Sequence, residues 1–205
     1  MNRIHPLMAT LLAGTVLAAC GDAGERRAEN AADALENKVE AYEDRIENAA
    51  DNAAIAVIPT PAPQDFVNRA ARGDAFEIAA ARLAAKNAAS AEVKAFAQAM
   101  IKAHTESTAK LKAAAAKASP AIVADATLSR DQNEDLAELG RKTGAAFDED
   151  YMDGQVDAHE DALKLMRNFA ADGADAGLKT AAGEIAPVVE GHLKMARDLE
   201  AKVDR

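Results

Sequence analysis

The chain has 205 residues, a formal net charge of −10, one cysteine, no tryptophan and aromatic residues at only 3%. So acidic a balance excludes a nucleic-acid partner, whose phosphates demand clustered Lys and Arg, and a lone thiol excludes an intrachain disulfide. Abundant Ala with sparse Val, Ile and aromatic side chains leaves no alternating run for a strand, so the expected fold class is all-α.

Residues 1–19 read as a secretory leader, with Arg3 in a short basic start and an apolar run from Leu7 to Val16 that is too short to span a bilayer. Leu17-Ala18-Ala19-Cys20 resembles the lipobox of bacterial lipoproteins. That resemblance implies cleavage before Cys20 and lipidation of its thiol with diacylglycerol and then a third, palmitate-like acyl chain. The expected location is the periplasmic side of the cell envelope, held to a membrane by the lipid. Asp22 resembles an inner-membrane retention signal of enterobacterial lipoproteins, but the rule varies among bacteria, and either envelope membrane fits.

Residues 20–57 follow as an acidic amphipathic stalk. Ala28, Ala32, Leu35, Val39, Tyr42, Ile46, Ala49 and Ala53 alternate steps of four and three, a heptad seam on one helix. The seam fits a solvated spacer, or else self-association or docking on a partner helix through residues 28–53. Residues 58–63, Ile-Pro-Thr-Pro-Ala-Pro, break the helix and form an extended linker.

Residues 64–205 are of ordinary single-domain size, and four long helices are predicted in them. The first runs from Gln64 to Ala89, striped by Phe66, Ala70, Gly73, Ala80 and Ala84, and the second from Ser90, an N-cap, to about Ala118, striped by Val93, Ala97, Met100 and Leu111. Ser119-Pro120 stops it. A connection of nearly thirty residues follows, with a short helix opened by a Ser129/Gln132 capping box. The third helix runs from Phe147 to Ala171 along Met152, Gln155, Leu163 and Met166. The fourth runs from Leu178 to Val203 along Ile185, Val189, Ala196 and Leu199, with Pro187 inside it. Four helices with a long connection between the second and third are wired as in a ferritin-like four-helix bundle.

Each long helix also aims one polar residue inward: Glu77, His104, His159 and His192. Each lies near mid-height of its helix at about 1.5 Å per residue. A buried carboxylate with three imidazoles needs partners. One divalent metal, zinc, iron or copper, would satisfy all four. So would a polar network with Gln155, Thr108, Tyr151 or enclosed water. A di-iron pattern, with Glu and His three residues apart, fails because Ile101, Val156 and Val189 occupy the positions concerned. Met100 and Met195 lie close in sequence to the histidines, where they read first as gap-filling methionine and second as soft copper ligands. No nucleophile motif or phosphate-cradling glycine loop is present.

Over roughly residues 64–200 these features resemble a bacterial family of ferritin-like envelope proteins catalogued as domain of unknown function 4142, often labelled predicted outer membrane protein. The likeness rests on Phe66, Ala70-Ala71 and Gly73 to Glu77-Ile78; on Val93, Phe96-Ala97, Met100 and His104; on Phe147-Asp148, Tyr151-Met152 and His159; and on Pro187 with His192-Leu193. The family usually carries an acid just before the second-helix histidine. Here that position is Ala103, so no role of that acid carries over. The resemblance implies a periplasmic-side bundle with no assigned activity.

The leading expectation is a non-enzymatic, lipid-anchored envelope protein whose buried centre serves binding or stress tolerance. A metal-dependent redox or hydrolytic enzyme is the rival, and a scaffold acting through the stalk is a third reading.

Overall fold

The computed structural model describes residues 59–203. The leader, Cys20, the stalk with its seam at residues 28–53, and Ile58 lie outside the described residues. Among those described, five helices form and no strand does: α1 (Pro63–Asn87), α2 (Ala91–Ala115), α3 (Arg130–Leu139), α4 (Ala145–Asp172) and α5 (Ala176–Val203). The four long helices pack as a bundle in which α1 lies against α2 and α4, and α5 against α2 and α4. No helix among the described residues is long and apolar enough to cross a membrane.

Local chemistry sets the helix ends. Pro63, read from sequence as the last residue of the linker, is instead the first of α1. Its missing N–H falls where the helix has no acceptor to offer, and its fixed φ suits the first turn. Ser90 caps α2 by accepting from Glu92 N and Val93 N, and the Ser129/Gln132 capping box opens α3. Asp175 Oδ1 accepts from Leu178 N at 2.8 Å at the start of α5.

The connection between α2 and α4 climbs the whole bundle, and its register can be read from three side chains of α1. Gln64 Nε2 donates to Val123 O, Asn68 Oδ1 accepts from Asp125 N, and Arg72 Nε donates to Thr127 O. Steps of four along α1 match steps of two along the connection. One helical turn rises about 5.4 Å and two extended residues about 6.6 Å, so the two segments run side by side in the same direction. The chain thus arrives at the far end of α1, where Gly144 N donates to Asn87 O at 2.9 Å. Gly144 has φ +72°, a left-handed conformation that favours a residue without Cβ.

There α4 begins, locked to the α1–α2 turn by a buried carboxylate. Asp148 Oδ1 accepts from Ala89 N at 3.1 Å and Oδ2 from Ser90 N at 2.8 Å. Bonds from an ionised acceptor are worth about 1.5–3 kcal/mol each, so this one side chain fixes the phase of α4 against the first two helices.

The core is narrow and alanine-rich, with aromatic side chains at its ends. Phe66, near the start of α1, stacks on Phe169, near the end of α4, at 3.9 Å between ring centroids, which shows that the two helices are antiparallel. Phe147 stacks on Tyr151, and Phe96 meets Tyr151 edge-on. Between them Ala70, Ala80, Ala97, Ala182 and Ala196 are buried, and small side chains let the helices approach closely.

Candidate metal centre

The polar residues that the stripes aim inward meet at mid-bundle. Glu77 (3% exposed), His104 (6%) and His159 (1%) are buried, and His192 is half-buried as a residue although its Nδ1 is sealed from solvent. The three imidazoles face one another with ring centroids 5.5 Å (His104–His159), 5.6 Å (His159–His192) and 5.9 Å (His104–His192) apart. One ring nitrogen from each can be chosen so that all three lie within 4.8 Å of one another. The carboxylate of Glu77 is not a member of that converging set. It lies alongside, with Oε2 accepting from Gln155 Nε2 at 2.5 Å.

Hydrogen bonds fix the orientation of two rings. His104 Nδ1 donates to Asp74 Oδ1 at 2.8 Å, and Thr108 Oγ1 donates to the other oxygen of the same carboxylate at 2.8 Å. His159 Nδ1 donates to the carbonyl of Gln155 at 2.7 Å. With each Nδ1 engaged as a donor, Nε2 is the atom left to accept a proton or a metal. Both Nε2 atoms are buried without a partner, as is Nδ1 of His192. Leaving three such nitrogens unsatisfied in one place is unfavourable by roughly 1–3 kcal/mol apiece unless something occupies them.

The electrostatics favour neutral rings at two of the three positions. Burial pushes His159 and His192 down to about 4, and the positive charge of His104 adds to the effect. His104 behaves oppositely. Burial alone would lower it, but the bond to Asp74 and the charges of Glu77 and Asp74 outweigh that and raise it above 6.5. Glu77 is pushed up to about 7, chiefly by burial, although His104 and Gln155 both favour its ionised form. Tyr151 is raised by burial and by Glu77, so it stays a neutral phenol.

Nitrogen donors without a carboxylate among them do not suit calcium or magnesium, which take oxygen ligands. Three imidazoles suit zinc, copper, iron or nickel. A carboxylate behind a ligating histidine, as Asp74 stands behind His104, is a usual support for such a ligand, since it fixes the tautomer and raises basicity.

All four residues singled out from sequence are therefore neighbours, with the histidines converging and Glu77 beside them. Asp74 escaped sequence reading. Its signal is its place four residues after Ala70 and three before Glu77, on the inward stripe of α1.

Residues 48–199 match the family model described as Domain of unknown function (DUF4142). No curated protein matches the chain. Among solved structures, the one described as "CopM in the Cu(I)-bound form" is similar, with 15% identity and a TM-score of 0.57 over 69% of this chain and 97% of that chain. At that identity the likeness is one of fold.

Proposed function

The chain belongs to the DUF4142 family, and we propose that it is a lipid-anchored envelope protein that binds one copper(I) ion through His104, His159 and His192, for metal binding or stress tolerance rather than catalysis. The observation that carries this reading is the convergence of three imidazoles on one point, each with a buried ring nitrogen that has no partner. A metal bond of about 2.0–2.1 Å places nitrogens roughly 3.5 Å apart around the ion, so the rings need draw together by only about 1 Å.

Asp74 stands behind His104, its Oδ1 2.8 Å from Nδ1, and supports that ring as a ligand. The copper(I) ion named for the structural neighbour makes the same metal the first to test. Copper(I) held by imidazole is a redox-competent centre. Around it His159 and His192 act as neutral ligands, Asp74 holds His104 in orientation, and Glu77 and Gln155 form the adjoining polar wall.

The test is the metal content of the full mature chain, purified without a histidine tag and reconstituted anaerobically with copper(I). One copper per chain is expected; no stoichiometric metal after reconstitution removes the reading. Anchoring is tested separately, since Cys20→Ser is expected to abolish incorporation of labelled palmitate and to release the protein from the membrane fraction. Acyl chains contribute about 0.8 kcal/mol per buried methylene, so an unchanged membrane fraction would overturn the anchor.

A further inference from the structure

A cavity of about 260 Å³, lined by residues of all five described helices, joins the centre to the surface. Glu77, His104 and His159 line its inner end, and its outer end reaches the exposed Arg69, Asp135 and Asp161. Phe76, Leu165, Ile185 and Val189 form apolar walls. His192 is not among its lining residues. The two histidines that do line it are the two whose Nδ1 atoms are tied up, so their free Nε2 atoms are what the centre has to present on this side.

Gly73 contributes to the space. It lies in mid-α1, where glycine is a poor helix former, it lines the cavity, and a Cβ added there meets no atom within 4 Å. The missing side chain keeps a notch open that any other residue would narrow.

We infer that this cavity is a ligand pocket serving an open coordination position on the His104/His159/His192 metal, and that it takes a small neutral molecule with an apolar body and one donor atom. The inference rests on the copper-binding reading above. Size, walls and charge each limit the occupant. An apolar cavity of about 150 Å³ holds benzene, so 260 Å³ admits a molecule of one ring or a compact branched group. Apolar walls with few polar groups select an apolar body. Three carboxylates besides Glu77, those of Asp74, Asp135 and Asp161, against the single guanidinium of Arg69 disfavour an anion, and a donor atom that must offer a lone pair to the metal disfavours a protonated cation.

Two isocyanides with the same donor carbon test this on the full mature chain loaded with copper(I): neutral tert-butyl isocyanide and anionic isocyanoacetate. The neutral probe is expected to bind once per copper, giving one saturable, displaced C–N stretching band in the infrared, with at least tenfold weaker binding of the anion. Gly73→Leu is expected to keep one copper and to keep binding carbon monoxide, which needs only the open position, while losing at least tenfold in affinity for tert-butyl isocyanide. Ala162→Leu, at another lining position on α4, gives the same loss should Gly73→Leu fail to fold. Copper bound without any isocyanide band, or an affinity unchanged in both variants, overturns the pocket and leaves the metal reading standing. A wild-type chain that takes up no copper overturns both.

Discussion

His159→Leu is expected to abolish tight copper binding, lowering affinity at least a thousandfold, while leaving the metal-free bundle as stable as before or more so. The two halves of this expectation have the same origin. His159 is 1% exposed, and its Nε2 has no partner, so in the absence of metal the ring is a desolvated polar group with one bond, to the carbonyl of Gln155. An apolar side chain of similar volume removes that penalty. With metal, the same substitution removes one of the three imidazoles that converge on the ion. Stabilisation by a bound ion amounts to about 4 kcal/mol at a thousandfold excess over Kd, so the shift in melting temperature produced by copper in the wild-type chain should vanish in the variant. Asp74→Asn is expected to be milder, about 10–100-fold in affinity, because it alters the support of His104 and not the ligand itself. Competition against a chromophoric copper(I) chelator reads both affinities, and melts with and without metal read the stabilities. If the four polar residues instead form a self-satisfied network, His159→Leu lowers the melting temperature without metal, and copper shifts neither protein.

What could be read from the sequence divides along physical lines. Helix identity and ends were legible because they depend on neighbours in the chain: Ser90 and the Ser129/Gln132 box cap α2 and α3 as expected. The inward stripe placed Glu77, His104, His159 and His192 at one level because helical rise is constant, and level is a one-dimensional quantity. Which atoms meet at that level is not. The separation of Glu77 from the converging nitrogens depends on how α1 is rotated against α4, and Gln155 Nε2 holds the carboxylate to one side. Asp74 was hidden for a related reason. An aspartate is excluded from a core only until a partner from another helix neutralises its cost, and that partner, His104, lies thirty positions away in the chain. Asp148 is a similar case. Its carboxylate is buried because the α1–α2 turn offers two backbone donors, and no local pattern announces them.

The metal-free domain is expected to be most stable near pH 6.5, with stability falling on both sides. On the acid side the cause is the two rings that burial pushes down to about 4, His159 and His192. The unfolded chain protonates them below their ordinary 6.5 and the folded chain does not until about pH 4, so stability is lost as pH falls. Glu77 works the other way. Held at about 7 against an ordinary 4.5, it contributes stability that is complete at low pH and is lost as pH rises from 4.5 through 7. The raised His104 likewise contributes below 6.5 and loses that contribution as pH rises through its folded value. Between pH 4.5 and 6.5 the unfolded chain therefore holds protons on three histidines, while the folded chain holds them on His104 and Glu77. The difference of one proton gives a slope of about 1.4 kcal/mol per pH unit. His192 is half-buried, so solvent screening trims its share and the acid limb amounts to about 2 kcal/mol. Above pH 6.5 only the folded chain keeps the protons of Glu77 and His104, and the slope reverses. Glu77→Gln should flatten the alkaline limb, and His159→Leu the acid one. Urea unfolding of the metal-free protein from pH 4.5 to 8 measures both. A stability that climbs steadily through pH 8 would mean that Glu77 is ionised in the folded state throughout.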